Sequence, residues 1–144
     1  MSLYLESSAV LSWLLAESSA ATVREILTAT EIVVASDLTL IECDRVLLRA
    51  QALSELTEAE VADRRAHLAT ASAHWQILRI GPDVVARARE PFPGDPIRTL
   101  DAIHLACALV ARTAIAGLEL LSLDSRIRNA GKRLGFGVVP AQTE

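Results

Sequence analysis

The stretch TLDAIHLACALVARTA, residues 99–114, predicts a long helix that is apolar on nearly every side between Ala102 and Ala111. A helix without a polar face belongs in the interior of a protein rather than on its surface. Asp101 stands in the first turn of this helix, and a buried carboxylate needs hydrogen bonds, a paired cation or a metal ion. The segment therefore predicts a central helix with an acid held at its start.

Short apolar runs on both sides of this helix predict the strands of a sheet. They are residues 2–6, 32–35, 75–80, 118–123 and 136–139. Helices are expected after Ser7 or Ser8 and at about residues 19–29, 37–52, 57–73, 82–90, 99–114 and 124–134, with a loop, PFPGDP, at 91–96. This alternation predicts an α/β fold with three layers, in which helices cover both faces of a mostly parallel sheet of four to five strands.

Length and composition indicate one globular domain over residues 1–144. The hydrophobic fraction is 51% and aromatic residues make up 3%, so Leu, Ile, Val and Ala must build the core. The net charge of −4 excludes a global basic field for capturing nucleic acid, and a polyanionic ligand must therefore be bound locally. The basic residues are all arginine except Lys132, and the guanidinium fork suits phosphate.

The cysteines and the amino terminus indicate the compartment. Cys43 and Cys107 lie within helical patterns, which predicts small buried hydrophobic residues in a reducing environment. The apolar start of the chain follows no basic region and is interrupted by Glu6 and Glu17, which is not typical of a signal peptide. Runs of about 18 uncharged apolar residues, as a membrane span requires, do not occur. We therefore expect a cytoplasmic protein.

Four acids stand where predicted strands give way to predicted helices. Glu6 ends MSLYLE, Glu42 lies one turn into the helix after IVVAS, Asp101 opens the apolar helix, and Asp124 ends LELLSLD. Sites in open α/β sheets form at the carboxyl ends of the strands. Four carboxylates at one edge need a compensating cation, and hard oxygen ligands suit Mg²⁺ or Mn²⁺. The set predicts a metal-dependent enzyme, with phosphodiester chemistry as the leading candidate.

Each acid also has a structural interpretation, because carboxylates favour helix starts. Asp124 and Asp101 suit the first turns of their helices. Glu42 can complete a capping box with Thr39, and Glu6 can face solvent at the end of a strand. Singly, the structural interpretation is favoured for each acid. The set favours a site, because Asp101 heads a buried helix while Glu6 and Asp124 directly follow apolar strands.

Other polar residues near the acids have two interpretations. Ser8 suits a helix cap and also a hydroxyl that holds a metal-bound water, and the two roles are compatible. His104, one turn after Asp101, is more typical of a hydrogen-bonded core residue than of a ligand. His67 and His74 have no acid or cysteine at metal-ligand spacing, so a zinc site is not expected.

Two groups of basic residues are ambiguous in the same way. Arg45 and Arg49 share a helical stripe with Glu42, which is either a solvated ion-pair face or a surface that approaches phosphate. The densest basic cluster follows Asp124. Its cations either stabilise the carboxyl end of their helix or bind phosphate beside the acids. Its members are Arg126, Arg128, Lys132 and Arg133.

Four segments carry a likeness to a known family: YLESSAV at 4–10, SDLTLIECDR at 36–45, RTLDAIHLACAL at 98–109 and LLSLDSRIRNAGKRLGF at 120–136. They resemble the acidic motifs of PIN-domain ribonucleases, specifically the VapC-type toxins of type II toxin–antitoxin pairs. The last two segments are the more specific, and the order and spacing of all four run the length of the chain. The resemblance implies a PIN-like fold with the three layers described above.

The resemblance also implies the chemistry of the site. Glu6, Glu42, Asp101 and Asp124 would hold one or two divalent ions, Mg²⁺ or Mn²⁺, with Ser8 as the accompanying hydroxyl. The implied activity is endoribonuclease cleavage that leaves a 5′-phosphate and a 3′-hydroxyl. The implied partners are RNA, a small antitoxin that inserts a segment into the active groove, and a second copy of the chain.

One position departs from the family pattern, because the first acid is usually Asp and here is Glu6. The extra methylene displaces the carboxylate, while Mg²⁺ demands near-octahedral geometry at about 2.0–2.1 Å. This motivates an alternative, a catalytically weakened PIN module that binds protein or RNA. A phosphatase-like hydrolase or a receiver domain ranks third. The hydrolase needs an Asp nucleophile after the first strand, where this chain has Glu6. The receiver needs a Lys after a late strand, whereas Lys132 lies inside a helix. Among the aromatic residues, Phe92 in the 91–96 loop is the candidate for contact with an unpaired base.

Overall fold

The computed structural model describes residues 1–141, so residues 142–144 of the expected domain lie outside the described part. The strands are β1 (Ser2–Leu5), β2 (Ile32–Ser36), β3 (Gln76–Leu78), β4 (Glu119–Leu121) and β5 (Val138–Val139). The helices are α1 (Ser7–Leu14), α2 (Ala20–Thr28), α3 (Asp37–Ala52), α4 (Glu58–Ser72), α5 (Pro82–Ala88), α6 (Thr99–Ala114) and α7 (Ser125–Arg133). Each predicted element is present.

The five strands form one sheet in the order β3-β2-β1-β4-β5, and every neighbouring pair is parallel. Leu3 of β1 lies opposite Val33 of β2 on one side and Glu119 of β4 on the other. The chain moves from β1 to β3 in one direction and resumes with β4 and β5 in the other. The crevice beside β1, where this direction reverses, is where open α/β sheets place their sites.

Apolar side chains on both faces of the sheet explain why helices cover both faces. Successive residues of a strand point to opposite sides, so Tyr4 joins one buried cluster while Leu3 and Leu5 join the other. Tyr4 packs with residues of α5, α6 and α7, and Leu3 and Leu5 pack with residues of α1 to α4. The predicted three-layer α/β/α fold is confirmed.

The helix starts are fixed by side chains, in part differently from the prediction. Ser36 and Thr39 form the capping box of α3, so Thr39 does not pair with Glu42 as the sequence allowed. The predicted box of Thr57 with Glu60 at α4 is confirmed. The predicted serine cap of α1 is wrong, because Glu6 occupies the N-cap position and the serine hydroxyls bond its carboxylate instead.

The 91–96 loop is present, but the assignment of Phe92 to substrate contact is wrong. Its side chain is buried in the cluster around α6, and the Arg87 guanidinium lies 4.3 Å from the centre of its ring. Asp95 closes the loop as a turn residue, since its carboxylate accepts from the Phe92 N–H at 2.8 Å. A loop residue with a large apolar ring gains more by entering an adjacent core than by facing water.

Two further expectations concern the interior and the membrane. Cys43 and Cys107 are both free and buried, as predicted, and burial raises the pKa of each thiol. Among the helices of residues 1–141, none combines the length and the apolar character that crossing a bilayer requires.

Candidate metal centre

Three elements bring polar side chains to the carboxyl edge of the sheet beside β1. Glu6 directly follows β1, and its N–H donates to the Leu121 carbonyl at 3.0 Å, which fixes it at the junction with β4. Thr39 Oγ1 donates to the Leu5 carbonyl at 3.1 Å and ties the first turn of α3 to the end of β1. Glu42 lies one helical turn after Thr39, so α3 carries this second carboxylate to the same edge.

The Glu6 carboxylate is buried, with 4% of its surface exposed, and it is bonded by hydroxyl groups. Its Oε1 accepts from Ser7 Oγ at 3.0 Å, and its Oε2 accepts from Ser122 Oγ at 2.7 Å and from Ser8 Oγ. Within residues 1–141, no basic nitrogen lies within 4.0 Å of it. Glu6 is therefore a buried carboxyl group bonded by neutral donors, and burying a carboxylate charge without a cation is costly.

Glu42 is joined to Glu6 through Ser7, whose single hydroxyl hydrogen is shared between Glu42 Oε1 at 2.8 Å and Glu6 Oε1 at 3.0 Å. The same Glu42 oxygen is hydrogen-bonded to His104 Nε2, and His104 Nδ1 lies 2.8 Å from the Tyr4 hydroxyl. An ionised carboxylate can only accept, so Nε2 carries a proton, and in a neutral ring Nδ1 accepts from Tyr4. The Tyr4 hydroxyl in turn lies 2.9 Å from Ser36 Oγ, which completes a buried chain across the sheet edge.

The surroundings shift the pKa values of Glu42 and Tyr4 in this chain of hydrogen bonds. Burial pushes the pKa of Glu42 upward, but the hydrogen bond and proximity of His104 and the Ser7 hydrogen bond outweigh it, and the pKa falls below its usual value. Burial raises the pKa of Tyr4 well above its usual value. Glu42 is therefore anionic and Tyr4 is neutral at physiological pH.

The donor set at this edge suits a divalent cation. One ligand atom from each of Glu6, Glu42 and His104 lies within 4.8 Å of the other two. Two carboxylates held this close repel each other, and a cation between them relieves that repulsion. Carboxylate oxygens are the ligands that Mg²⁺ and Mn²⁺ prefer, and imidazole adds affinity for softer ions.

The other two predicted acids are placed differently. Asp101 is mostly buried, and its Oδ2 accepts from Arg98 Nε at 3.3 Å. Asp124 caps α7, since its Oδ1 accepts from the N–H groups of Arg126 and Ile127 at 2.9 and 3.1 Å. In the described chain, Glu6, Glu42 and His104 form the compact group of ligand atoms, and neither aspartate belongs to it. A common site for the four acids stays a prediction.

Sequence reasoning gave too little weight to three residues of the centre. Ser7 bridges the two glutamates, Ser122 bonds Glu6 from β4, and His104 bonds Glu42. For His104 the signal was present, since it stands one turn after Asp101 on the buried helix. Ser122 lies two residues before Asp124, but its contact with Glu6 joins residues 116 positions apart and depends on the pairing of β1 with β4.

The basic cluster after Asp124 divides into two parts. Arg128 is buried and structural, because it donates to the Ser122 carbonyl at 2.8 Å and to the Pro140 carbonyl at 2.6 Å. Burial also lowers its pKa. Its neighbours Arg126, Lys132 and Arg133 are exposed. Phosphate contact by this cluster is therefore limited to residues other than Arg128.

The fold and the centre define an α/β protein with carboxylates gathered at the switch point of a parallel sheet. The profile of the PIN domain matches residues 3–133, and the chain belongs to the PIN-domain family. Ribonuclease VapC46 of Mycobacterium tuberculosis is 34% identical to it over 137 residues, which cover 95% of each chain.

Solved structures share the fold at lower sequence identity. A toxin–antitoxin complex from Klebsiella pneumoniae contains a chain with a TM-score of 0.67 and 18% identity, covering 99% of this chain and 100% of that one. The Mycobacterium tuberculosis toxin VapC20, described as cleaving the sarcin–ricin loop, has a TM-score of 0.65 and 15% identity. The match covers 90% of this chain and 95% of that one. A chain of VapBC2 of Rickettsia felis, bound to promoter DNA, has a TM-score of 0.63 and 12% identity. The match covers 96% of this chain and 97% of that one.

Proposed function

We propose that this PIN-domain protein is a divalent-metal-dependent endoribonuclease and the toxin of a toxin–antitoxin pair. The observation that carries the proposal is the pair of carboxyl groups at the switch point of the sheet, the buried Glu6 and the partly buried Glu42, bridged by Ser7. Similarity to ribonuclease VapC46 over most of both chains supports RNA as the substrate.

Glu6 and Glu42 would hold a Mg²⁺ or Mn²⁺ ion, with Asp101 and Asp124 as the remaining acids of the site and Ser8 as the accompanying hydroxyl. A divalent ion bound there would supply a water nucleophile at neutral pH and stabilise charge on the reacting phosphate. Cleavage by this route leaves a 5′-phosphate and a 3′-hydroxyl.

The residues around the carboxylates prepare them for this role. Ser8 and Ser122 both donate hydrogen bonds to Glu6 Oε2, and these bonds fix the orientation of the carboxyl group. His104 and Ser7 bond one oxygen of Glu42 and hold it ionised, as its lowered pKa indicates. Groups positioned before substrate arrives need little reorganisation during the reaction.

The proposed partners follow the same comparison. A small antitoxin would cover the active groove, as the toxin–antitoxin complexes among the similar folds suggest. The chain would act in the cytoplasm as a homodimer, each copy a single domain over residues 1–144. The antitoxin would compete with RNA for the surface around the acids.

A cleavage assay tests the proposed function. Purified protein with Mn²⁺ or Mg²⁺ should cut RNA and leave 5′-phosphate ends, and EDTA should stop the reaction. Glu42→Gln and Asp101→Asn should each abolish cutting, whereas Glu25→Gln, which neutralises an exposed acid of α2, should retain it. Cutting that persists in EDTA and in both site variants would contradict the proposal.

One observation favours a second candidate, a PIN module that binds protein or RNA without cleaving it. Glu6 stands where the family usually has Asp, and serine hydroxyls already bond its carboxylate. Calorimetry separates the two functions: saturable Mn²⁺ binding supports the nuclease, and its absence at millimolar Mn²⁺ supports the binding module.

A further inference from the structure

A cleft of about 440 Å³ opens on the protein surface beside Asp101. Its walls are the loop at residues 93–98, the first turns of α6 and one side of α7. Its volume lies within the range of small-ligand sites, about 300–1,000 Å³. The cleft is distinct from the Glu6–Glu42 centre, and among the four predicted acids it is lined by Asp101.

The lining of the cleft carries an excess of positive charge. Arg98, Arg126 and Arg133 contribute guanidinium groups, and Asp101 contributes the carboxylate. Asp101 is paired with Arg98 at 3.3 Å. Arg126 and Arg133 have no carboxylate oxygen within 4.0 Å in residues 1–141. Two cations therefore face the cleft without an intramolecular counterion among these residues.

The geometry of α7 explains why these two arginines share the cleft. Arg126, Asn129 and Arg133 stand at i, i+3 and i+7, which places them on one face of the helix. The opposite side of α7 is anchored by Ile127 in the apolar cluster and by the buried Arg128. The face of α7 that lines the cleft therefore cannot rotate away from it.

The loop at 93–98 supports the position of Arg133. Gly94 has a φ of +87°, and the position of its missing Cβ would lie 3.1 Å from Arg133 Nη1 and 3.3 Å from Arg133 Cδ. The guanidinium thus lies against backbone that carries no side chain. This contact holds one cation at the mouth of the cleft while leaving other N–H donors of its fork for a ligand.

We propose that this cleft binds a backbone phosphate of the RNA next to the phosphate being cut, through Arg126 and Arg133. The inference rests on the proposed function, since Asp101 lines the cleft and belongs to the acids of the proposed site. Guanidinium forks match phosphate oxygens in two-pronged hydrogen bonds. A chain with a net charge of −4 needs such local contacts to hold a polyanion.

The experiment measures binding of a short labelled single-stranded RNA in EDTA, where cutting is absent, at several salt concentrations. The double variant Arg126→Ala/Arg133→Ala should bind at least about tenfold more weakly. The slope of log affinity against log salt should fall by about 0.7, the contribution of one single-strand phosphate contact. Arg133→Lys should bind with intermediate affinity because it keeps the charge and loses the fork. The matched control Arg24→Ala/Arg79→Ala removes two exposed arginines outside the cleft.

Cutting in Mn²⁺ gives a second readout. The cleft variant should raise KM for RNA with kcat nearly unchanged, because it loses binding that is shared by ground state and transition state. Equal RNA affinity in the cleft variant and the control would overturn the cleft assignment. So would competition by poly-glutamate that matches RNA at equal charge, because the site would then be one for protein carboxylates.

The two proposals fail in different ways. A wild-type protein that binds RNA through the cleft but never cuts it contradicts the nuclease and retains the cleft. A protein that cuts RNA with the same KM in the cleft variant contradicts the cleft and retains the nuclease.

Discussion

At the scale of single residues, Glu6 is a buried carboxyl group without a basic partner among residues 1–141. Three hydroxyls bond it in place of a cation. Its Oε2 contacts Ser122, which follows β4, and its Oε1 contacts Ser7. The chain thus keeps a carboxyl group in its interior without a basic partner among residues 1–141, which is typical of sites where function opposes stability.

Glu6→Gln should separate the effect of Glu6 on stability from its role in metal binding. In metal-free buffer the thermal unfolding midpoint should stay equal or rise, because a neutral amide is easier to bury. Mn²⁺ at about a hundred times its dissociation constant should stabilise the wild type by about 2.7 kcal/mol and should not stabilise the variant. Thermal unfolding with and without Mn²⁺ measures both effects.

Asp63→Asn is the control for Glu6→Gln, since it neutralises an exposed acid on α4. It should respond to Mn²⁺ as the wild type does. An equal Mn²⁺ response in Glu6→Gln and the wild type would place the ion elsewhere.

His104 is the second residue whose contacts predict a measurable effect. Removing it leaves Glu42 with Ser7 and leaves the buried Tyr4 hydroxyl with Ser36. His104→Phe should lower metal-dependent activity about 10–100-fold, as loss of a ligand-orienting hydrogen bond does. It should also lower the free energy of unfolding by about 1–3 kcal/mol. Cleavage rates and urea unfolding report the two losses.

The exposed His67 provides the comparison for that variant. His67→Phe should leave both quantities near the wild-type values. Full activity in His104→Phe would show that Glu42 needs no support from the histidine.

At the scale of elements, long segments with a clear pattern were predictable from sequence. α6 spans Thr99–Ala114 as expected, because an uninterrupted run of helix formers fixes both its identity and its length. Helix starts were less predictable. The Thr57 box at α4 depends on adjacent residues, whereas the cap of α1 depends on where the hydroxyls of Ser7 and Ser8 find partners across the sheet edge.

The packing of α7 on β4 gives a prediction at this scale. A Cβ added at Gly131 would lie 2.5 Å from Leu120 Cδ2, and Leu120 is buried and cannot swing aside freely. Gly131→Ala should therefore destabilise the protein by about 1–3 kcal/mol. Helix propensity alone favours Ala over Gly by about 1 kcal/mol. The sign of the change in urea unfolding decides between packing and propensity.

Lys132→Ala, at the adjacent exposed position, is the control for introducing Ala into the same helix without a packing contact. It should leave stability nearly unchanged. A stabilised Gly131→Ala would show that α7 packs less closely against β4.

At the scale of the whole molecule, the sheet order creates the site. The pairing of β1 with both β2 and β4 brings Glu6, α3 and the residues after β4 to one edge. The sequence could place acids at strand ends, and it correctly predicted the layers. It could not identify which polar side chains meet, because contacts such as Glu6 with Ser122 depend on strand order and register.

The burial of Phe92 was likewise not predictable from local sequence. Local sequence placed it in a Pro-Gly loop, and only the packing of that loop against α5 and α6 reveals that its ring is buried. Asp101 and Asp124 likewise have identifiable local partners in Arg98 and in the first turn of α7.

The location of a bound ion tests the central claim most directly. Crystals grown with Mn²⁺ should show an anomalous scattering peak within coordination distance of the carboxylates of Glu6 and Glu42. An ordered protein without a peak at that position, or with Mn²⁺ bound only elsewhere, would contradict the account.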